Sequence, residues 1–362
     1  MVTTIKPIGG NSAGEASKIA VQAFSSSEIL TACKNGSNNL ELIGWLSSGM
    51  TVTRAADSGH HAGHVDEVAL SLLGRRAVTA VRSGSGHLLL ISWECPPQLG
   101  SITRLADSGT LAGAASLICA TTVLTGFGTE VLVTALRTGS GKLKLISWQL
   151  QGDGSFTRLG DSGSNAGKVD SIAITSFPGT DLIVTAVQTS HSILALHGRL
   201  KLIAWRMAPN GATFTRLGDS ADQAGVISEV AMAATSVPEF FSPGVLTAVK
   251  NGSGNLEVIA WRVLNDGIQR FGTSEAGTAS KIAITKAGGP SSYVASMRRG
   301  SNDIELIAYE LAGNGAVTRT ASFGERQGTD VSETAIQSLA GDEAVTAIRN
   351  RNFLNVNTWR LT

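Results

Sequence analysis

Residues 142–167 read KLKLISWQLQGDGSFTRLGDSGSNAG. The stretch opens on an apolar run that ends in Trp148 and turns at Asp153-Gly154. It continues through Thr157-Arg158 and closes on Asp161-Ser162-Gly163, two variable residues and Ala166-Gly167. An Asp-Gly pair between two short apolar runs is a strong hairpin signal, because Gly supplies the positive φ that a tight turn needs. The same parts recur, degraded, along the whole chain.

Two ladders make the repeat visible. The aromatic residue that ends the apolar run recurs as Trp45, Trp93, Trp148, Trp205, Trp261, Tyr309 and Trp359. The small-residue anchor recurs as Ala13-Gly14, Ala62-Gly63, Ala112-Gly113, Ala166-Gly167, Ala224-Gly225, Ala276-Gly277 and Gln327-Gly328. Each ladder has seven rungs, so one unit is written seven times.

Within a unit the pattern predicts four short strands. In the fourth they are Val169–Thr175, Leu182–Gln188, Leu200–Arg206 and Phe214–Gly218. Each run is β-branched or apolar and is bounded by Gly, Pro, Asn, Asp or Ser. Asp153-Gly154, Asn210-Gly211 and Asp266-Gly267 predict the hairpin between third and fourth strands. The longer Asp-Ser-Gly segment suits a crossing to the next unit. A helical solenoid is disfavoured, because the runs are short and alternate with period two.

Four-stranded antiparallel units at this spacing predict an all-β chain, a seven-bladed β-propeller in one domain. The expected blades are roughly 15–57, 64–107, 114–161, 168–219, 226–273, 278–322 and 329–362, the last completed by 3–9. Six residues after the anchor a small side chain recurs at Ala20, Ala69, Cys119, Ala173, Ala231 and Ala283, as crowding around an axis requires; Ala335 follows with one residue inserted. The last unit lacks a fourth strand. Thr3–Gly9 (TTIKPIG) is the expected donor, closing the ring and removing an open edge.

Composition narrows the function. Net charge is +1 at pH 7 with no Lys/Arg run, so neither nucleic acid nor an anionic membrane is an expected partner. Cys33, Cys95 and Cys119 are odd in number and scattered through the repeat, which reads as packing rather than a disulfide framework or a zinc site. No metal or cofactor signature is present. The opening MVTTIKPIGG does not read as a secretory leader and no apolar run is long enough to cross a bilayer, so the compartment stays open between cytoplasmic and secreted.

Antiparallel alternation sorts the loops onto two faces. The Asp-Ser-Gly crossing and the second hairpin, Arg82–Gly86 and Arg137–Gly141, share an upper face; insertions such as PEFFSPG (residues 238–244) fall on the lower one. Across the third hairpin the Trp faces an Arg: Arg104, Arg158, Arg216 and Arg270 oppose Trp93, Trp148, Trp205 and Trp261. A sugar-stacking platform and a packing role both fit, and a residue kept in nearly every unit favours packing. The Asp and Ser of the crossings are expected to bind the crossing backbone.

The departures from the repeat point to chemistry. All six histidines, His60, His61, His64, His87, His191 and His197, map to the upper face. Imidazole titrates near neutrality and serves as acid or base. The residues just after the anchor differ by unit: Glu15, His64, Lys168, Thr278, with Asp66 and Asp170 two positions later. The expected catalytic groups are therefore His64, Lys168, Asp66 and Asp170. The expected ligand-binding groups are His60, His61, His87, His191 and Glu15, around the mouth of one axial pocket.

The repeat LKLISW…DGSFTRLGDSGSNAG resembles that of uncharacterised propeller proteins and of secreted fungal natural-product cyclases, the hetero-Diels–Alderases of tropolone sesquiterpenoid pathways. The resemblance covers the whole chain at the level of the repeat, and no catalytic motif is carried over. It implies a cofactor-free cycloaddition of a small apolar molecule in an apolar pocket. Two other classes compete: a multivalent lectin binding glycan, which the low aromatic content (5%) disfavours, and a protein-interaction scaffold, for which the Trp-Asp signature is missing.

Overall fold

The computed structural model describes residues 1–59, 62–163, 166–189, 198–221, 223–235, 243–324 and 330–362. His60, His61, His191 and His197, the 238–242 part of PEFFSPG and the Gln327-Gly328 rung lie outside them.

The chain is all-β: 71% strand, with a single three-residue 3-10 turn, Pro97–Leu99, among the described residues. Strands pair antiparallel in chain order, first to second to third to fourth, and give seven four-stranded units. In the fourth unit they span Val169–Ser176, Leu182–Thr189, Leu200–Met207 and Phe214–Asp219. Each prediction there ended one residue early.

Units 2, 3 and 4 are separate sheets, whereas units 7 and 1, and units 5 and 6, fuse into seven-stranded sheets. The fusion corrects the expected crossing. Ile5–Ala23 and Ile268–Lys286 are continuous strands that serve as fourth strand of one unit and first strand of the next. The reason lies in IGGNSAGEASK and FGTSEAGTASK, which lack Asp-Ser-Gly. Where that motif is present the chain leaves the sheet. Asp57, Asp107 and Asp161 accept the amides of Gly59, Gly109 and Gly163 at 2.8–3.0 Å. Ser58, Ser108, Ser162 and Ser220 accept the amides of Leu42, Leu90, Leu145 and Leu202 at 2.9–3.0 Å. Both side chains do what the sequence asked of them.

Gly154 and Gly211 turn at φ 90° and 73°, as the Asp-Gly and Asn-Gly signals require, while Gly267 takes no left-handed conformation. The missing fourth strand of unit 7 is supplied from the start of the chain, over a longer stretch than expected: Ile5 to Glu15 pair with Leu361 to Phe353.

Second and third strands are buried on both faces, which is why they read as near-continuous apolar runs. The described residues form seven apolar cores. Each lies between two successive units, and the seventh joins unit 7 (Val345, Leu354, Val356) to unit 1 (Ile29, Ile43, Trp45). Every unit-ending aromatic packs on the unit before it: Trp93 against Leu30 and Leu42, Trp148 against Val78 and Leu90. Each ring buries roughly 200 Å², on the order of 5 kcal/mol of transfer free energy.

Candidate functional site

The first strands carry the site. Four residues after the anchor glycine, unit by unit, stand Lys18, Glu67, Leu117, Ser171, Glu229 and Lys281; Glu333 follows in unit 7. The next residue is β-branched in all seven units, from Ile19 to Thr334. Together they line a cavity of about 410 Å³ to which every first strand contributes. Three carboxylates and two ammonium groups thus stand over a belt of stiff apolar side chains, with one net negative charge.

The carboxylates have a structural duty as well. Lys18, Leu117 and Lys281 all take φ 53° where the first strand bulges. A left-handed non-glycine residue costs roughly 1–2 kcal/mol. The preceding unit answers it. Glu333 accepts the Ile19 amide at 3.2 Å, Glu67 the Ile118 amide at 3.0 Å and Glu229 the Lys281 amide at 2.5 Å. A hydrogen bond to a charged acceptor contributes roughly 1.5–3 kcal/mol, enough to offset the bulge. Sequence reading missed this position. Its signal was present: Glu or Lys recurs just before an apolar β-branched residue and Ala in EVA, EVA, KIA and KIA, at Glu67, Glu229, Lys18 and Lys281.

A second cavity, about 750 Å³, opens beside the first between units 2, 3 and 4 and shares Glu67 and Leu117 with it. Arg82, Arg137, Lys168 and Asp170 line it. Arg137 donates from Nε to Ser116 Oγ at 3.0 Å and lies 3.4 Å from Asp170. Arg82 Nη1 stands 3.8 Å from Asp66, and its buried Nε has no hydrogen-bond partner among the described residues.

The expected site residues do not form one ring. Glu15 and His64 pack on the second hairpin of their own unit instead of facing the first-strand cavity, and Lys168 lies beside Gly141 of unit 3. A Cβ on Gly84 would sit 2.9 Å from His64 Cδ2, and one on Gly36 would sit 2.7 Å from Glu15 Oε2. His64 Nε2 lies 3.5 Å from Asp66 Oδ1, which also meets Lys34 Nζ at 3.6 Å. Lys168 and Asp170 line the side cavity; Glu15, His64, Asp66 and His87 line neither. His87 Nδ1 sits 3.1 Å from Ser85 Oγ. The crossing and the second hairpin do share an end, since the Gly84 amide donates to the His64 carbonyl at 3.1 Å. His64 and His87 therefore lie at the same end of their unit, as expected.

The repeated aromatics are closed to ligands. All six Trp side chains are at most 2% exposed. Each Nε1 donates to a Thr hydroxyl on the second strand at 2.9–3.0 Å, as from Trp93 to Thr79 and from Trp148 to Thr134. The opposing Arg reaches the Asp three residues on: Arg54 to Asp57 at 2.8 Å, and Arg104, Arg158 and Arg216 to Asp107, Asp161 and Asp219.

The three thiols are free. Burial pushes Cys33 and Cys119 up to about 12 and Cys95 up to about 11. Cys119 faces the first-strand cavity and donates to the Ile172 carbonyl at 3.1 Å. Among the described residues no group of three His, Cys, Asp or Glu is placed to hold a metal ion, and no helix is long and apolar enough to cross a membrane. No family model matches the chain, and no curated protein matches it either.

Proposed function

We propose that the chain is a seven-bladed β-propeller, closed by its first strand, and that it is a small-molecule enzyme working at one site on the axis. The cycle of seven inter-unit cores, running on from unit 7 to unit 1, supports the ring. A single observation carries the site: one cavity receives at least two residues from every first strand, and its lining differs from unit to unit. Repeated binding sites would need repeated lining. The buried Trp rings also remove the stacking surface that a multivalent lectin would use.

The reaction we propose is a cofactor-independent cyclisation of a conjugated apolar substrate, the class that the repeat resembles. The β-branched belt holds the substrate folded, so that reacting carbons meet without further loss of freedom. Polar groups at the mouth steer a proton or polarise a carbonyl. Lys281, which lines the cavity, and Lys168, which lines the one beside it, are the candidates. The test is turnover of conjugated enone and polyene substrates by Lys281→Ala and Lys168→Ala chains that melt like the parent. The proposal expects each variant to lose at least about tenfold in rate. Unchanged rates in both would remove these residues from the site.

A further inference from the structure

The penultimate residue of the second strand is a cation in six of the seven units: Lys34, Arg82, Arg137, Lys250, Arg298 and Arg349, with Gln188 the exception. Four of these strands differ in how the charge is used. In units 6 and 7 the guanidinium turns back on its own hairpin, Arg298 to Asn302 and Arg349 to Asn352 at 3.0 Å. In units 2 and 3 the hairpins are Gly-Ser-Gly, which offer no such side chain, and Arg82 and Arg137 line the side cavity.

Lys168 enters the same cavity from unit 4, and its ammonium has no carboxylate within 4 Å among the described residues. The acids there are already engaged: Glu67 by the Ile118 amide and Asp170 by Arg137. Asp66 meets Arg82 at 3.8 Å and Lys34 at 3.6 Å; with that cluster counted, four cations less three carboxylates leave one positive charge, with donors to spare on Arg82, Arg137 and Lys168.

We infer that this side cavity is a subsite for a single carboxylate, and that the substrate of the proposed site is an organic acid with an apolar body. The excess of one charge matches a monoanion. Guanidinium pairs carboxylate with two parallel bonds, and the ammonium adds a point charge. Because the side cavity shares Glu67 and Leu117 with the first-strand cavity, one molecule spans both, its acid on Arg82, Arg137 and Lys168 and its body on the β-branched belt. The placement of the body rests on the function proposed above; the anion subsite does not.

The test compares two probes of one shape, 2-naphthoate and 2-naphthylmethanol, by calorimetric titration of the full chain. The inference expects the acid to bind at least about tenfold tighter than the alcohol. Lys168→Gln, which breaks no ion pair among the described residues, is expected to cut that preference at least about threefold, and Arg137→Gln to abolish it, with the alcohol's affinity unchanged. Lys250→Gln, the same position in unit 5, is expected to leave the preference intact. Equal affinity for acid and alcohol, or a preference that survives both Lys168→Gln and Arg137→Gln, would overturn the subsite. Alcohol binding with no acid preference would leave the apolar site standing alone. Acid binding that is lost in Arg137→Gln, with no alcohol binding, would leave the subsite and remove the apolar one.

Discussion

Ile5 lies in antiparallel register with Leu361, so the two ends of the chain form one ladder. Val2 and Ile5 are buried in the core between units 6 and 7, beside Trp359 and Leu361. Removing residues 1–10 strips the pairs from Ile5 to Gly10 and leaves Asn357 to Leu361 as an open edge. The expected outcome is a chain that aggregates or melts without a cooperative transition in a calorimetric scan. Ile5→Ala, a milder cut, is expected to cost about 2–5 kcal/mol in urea unfolding.

Unit 6 is a natural experiment on the Trp-to-Thr bond. Its aromatic is Tyr309, and Ala295 stands where the other units place Thr. The Tyr309 hydroxyl is buried with no partner among the described residues. Thr134→Val, which strands the Trp148 N–H, is expected to cost about 1–3 kcal/mol. Tyr309→Phe, which removes an unpaired hydroxyl, is expected to be neutral or stabilising. Chemical denaturation of the two variants checks the contrast.

The architecture was legible because its signals are local. Asp153-Gly154 needs only neighbouring residues to set its turn, and Asp161 and Ser162 bind backbone within or beside their own crossing. Trp148 announced a packing residue simply by recurring. The site was less legible. Lys18, Glu67 and Glu229 differ in charge along the sequence, and their common role appears only when neighbouring units meet: the partner of Glu333 is the Ile19 amide, at the other end of the chain. His64 looked axial from its place after the anchor. Gly84 gives it room on its own hairpin, and spacing alone does not register that room. The two fused strands were missed because a crossing was assumed wherever Ala-Gly occurred, although Ala13-Gly14 and Ala276-Gly277 lack the Asp-Ser-Gly that makes the chain turn.

Acid is expected to loosen the crossings. Burial works to raise the Asp161 carboxyl, but the Gly163 amide, Lys144 and Arg158 outweigh it and hold the group below its ordinary 3.8. Asp219 is held down in the same way against burial by the Ala221 amide, Lys201 and Arg216. A carboxyl whose pKa is depressed by folding contributes stability that is complete above the unfolded value and lost as pH falls through the folded one. Stability is therefore expected to be flat from neutrality to about pH 5 and to fall below about pH 4. In Asp161→Asn the fall is expected to be shallower, from a lower starting stability. Urea midpoints across pH 2.5–7 measure it.

Native thiols are expected to be inert. With Cys33 pushed up to about 12 and Cys95 up to about 11 by burial, almost no thiolate exists at pH 8. Ellman's reagent is expected to report no fast thiol in the folded chain and three after denaturation. A fast native thiol at Cys33 or Cys95 would contradict the packing described for them.

The central claim is one ligand per chain, seated in the cavity that residues of all seven first strands line. Native mass spectrometry with 2-naphthoate measures it directly, on the parent and on Ile172→Trp, whose ring fills the apolar belt. The account predicts one bound equivalent on the parent and none on the variant. Several equivalents per chain, or one that persists on Ile172→Trp, would contradict it.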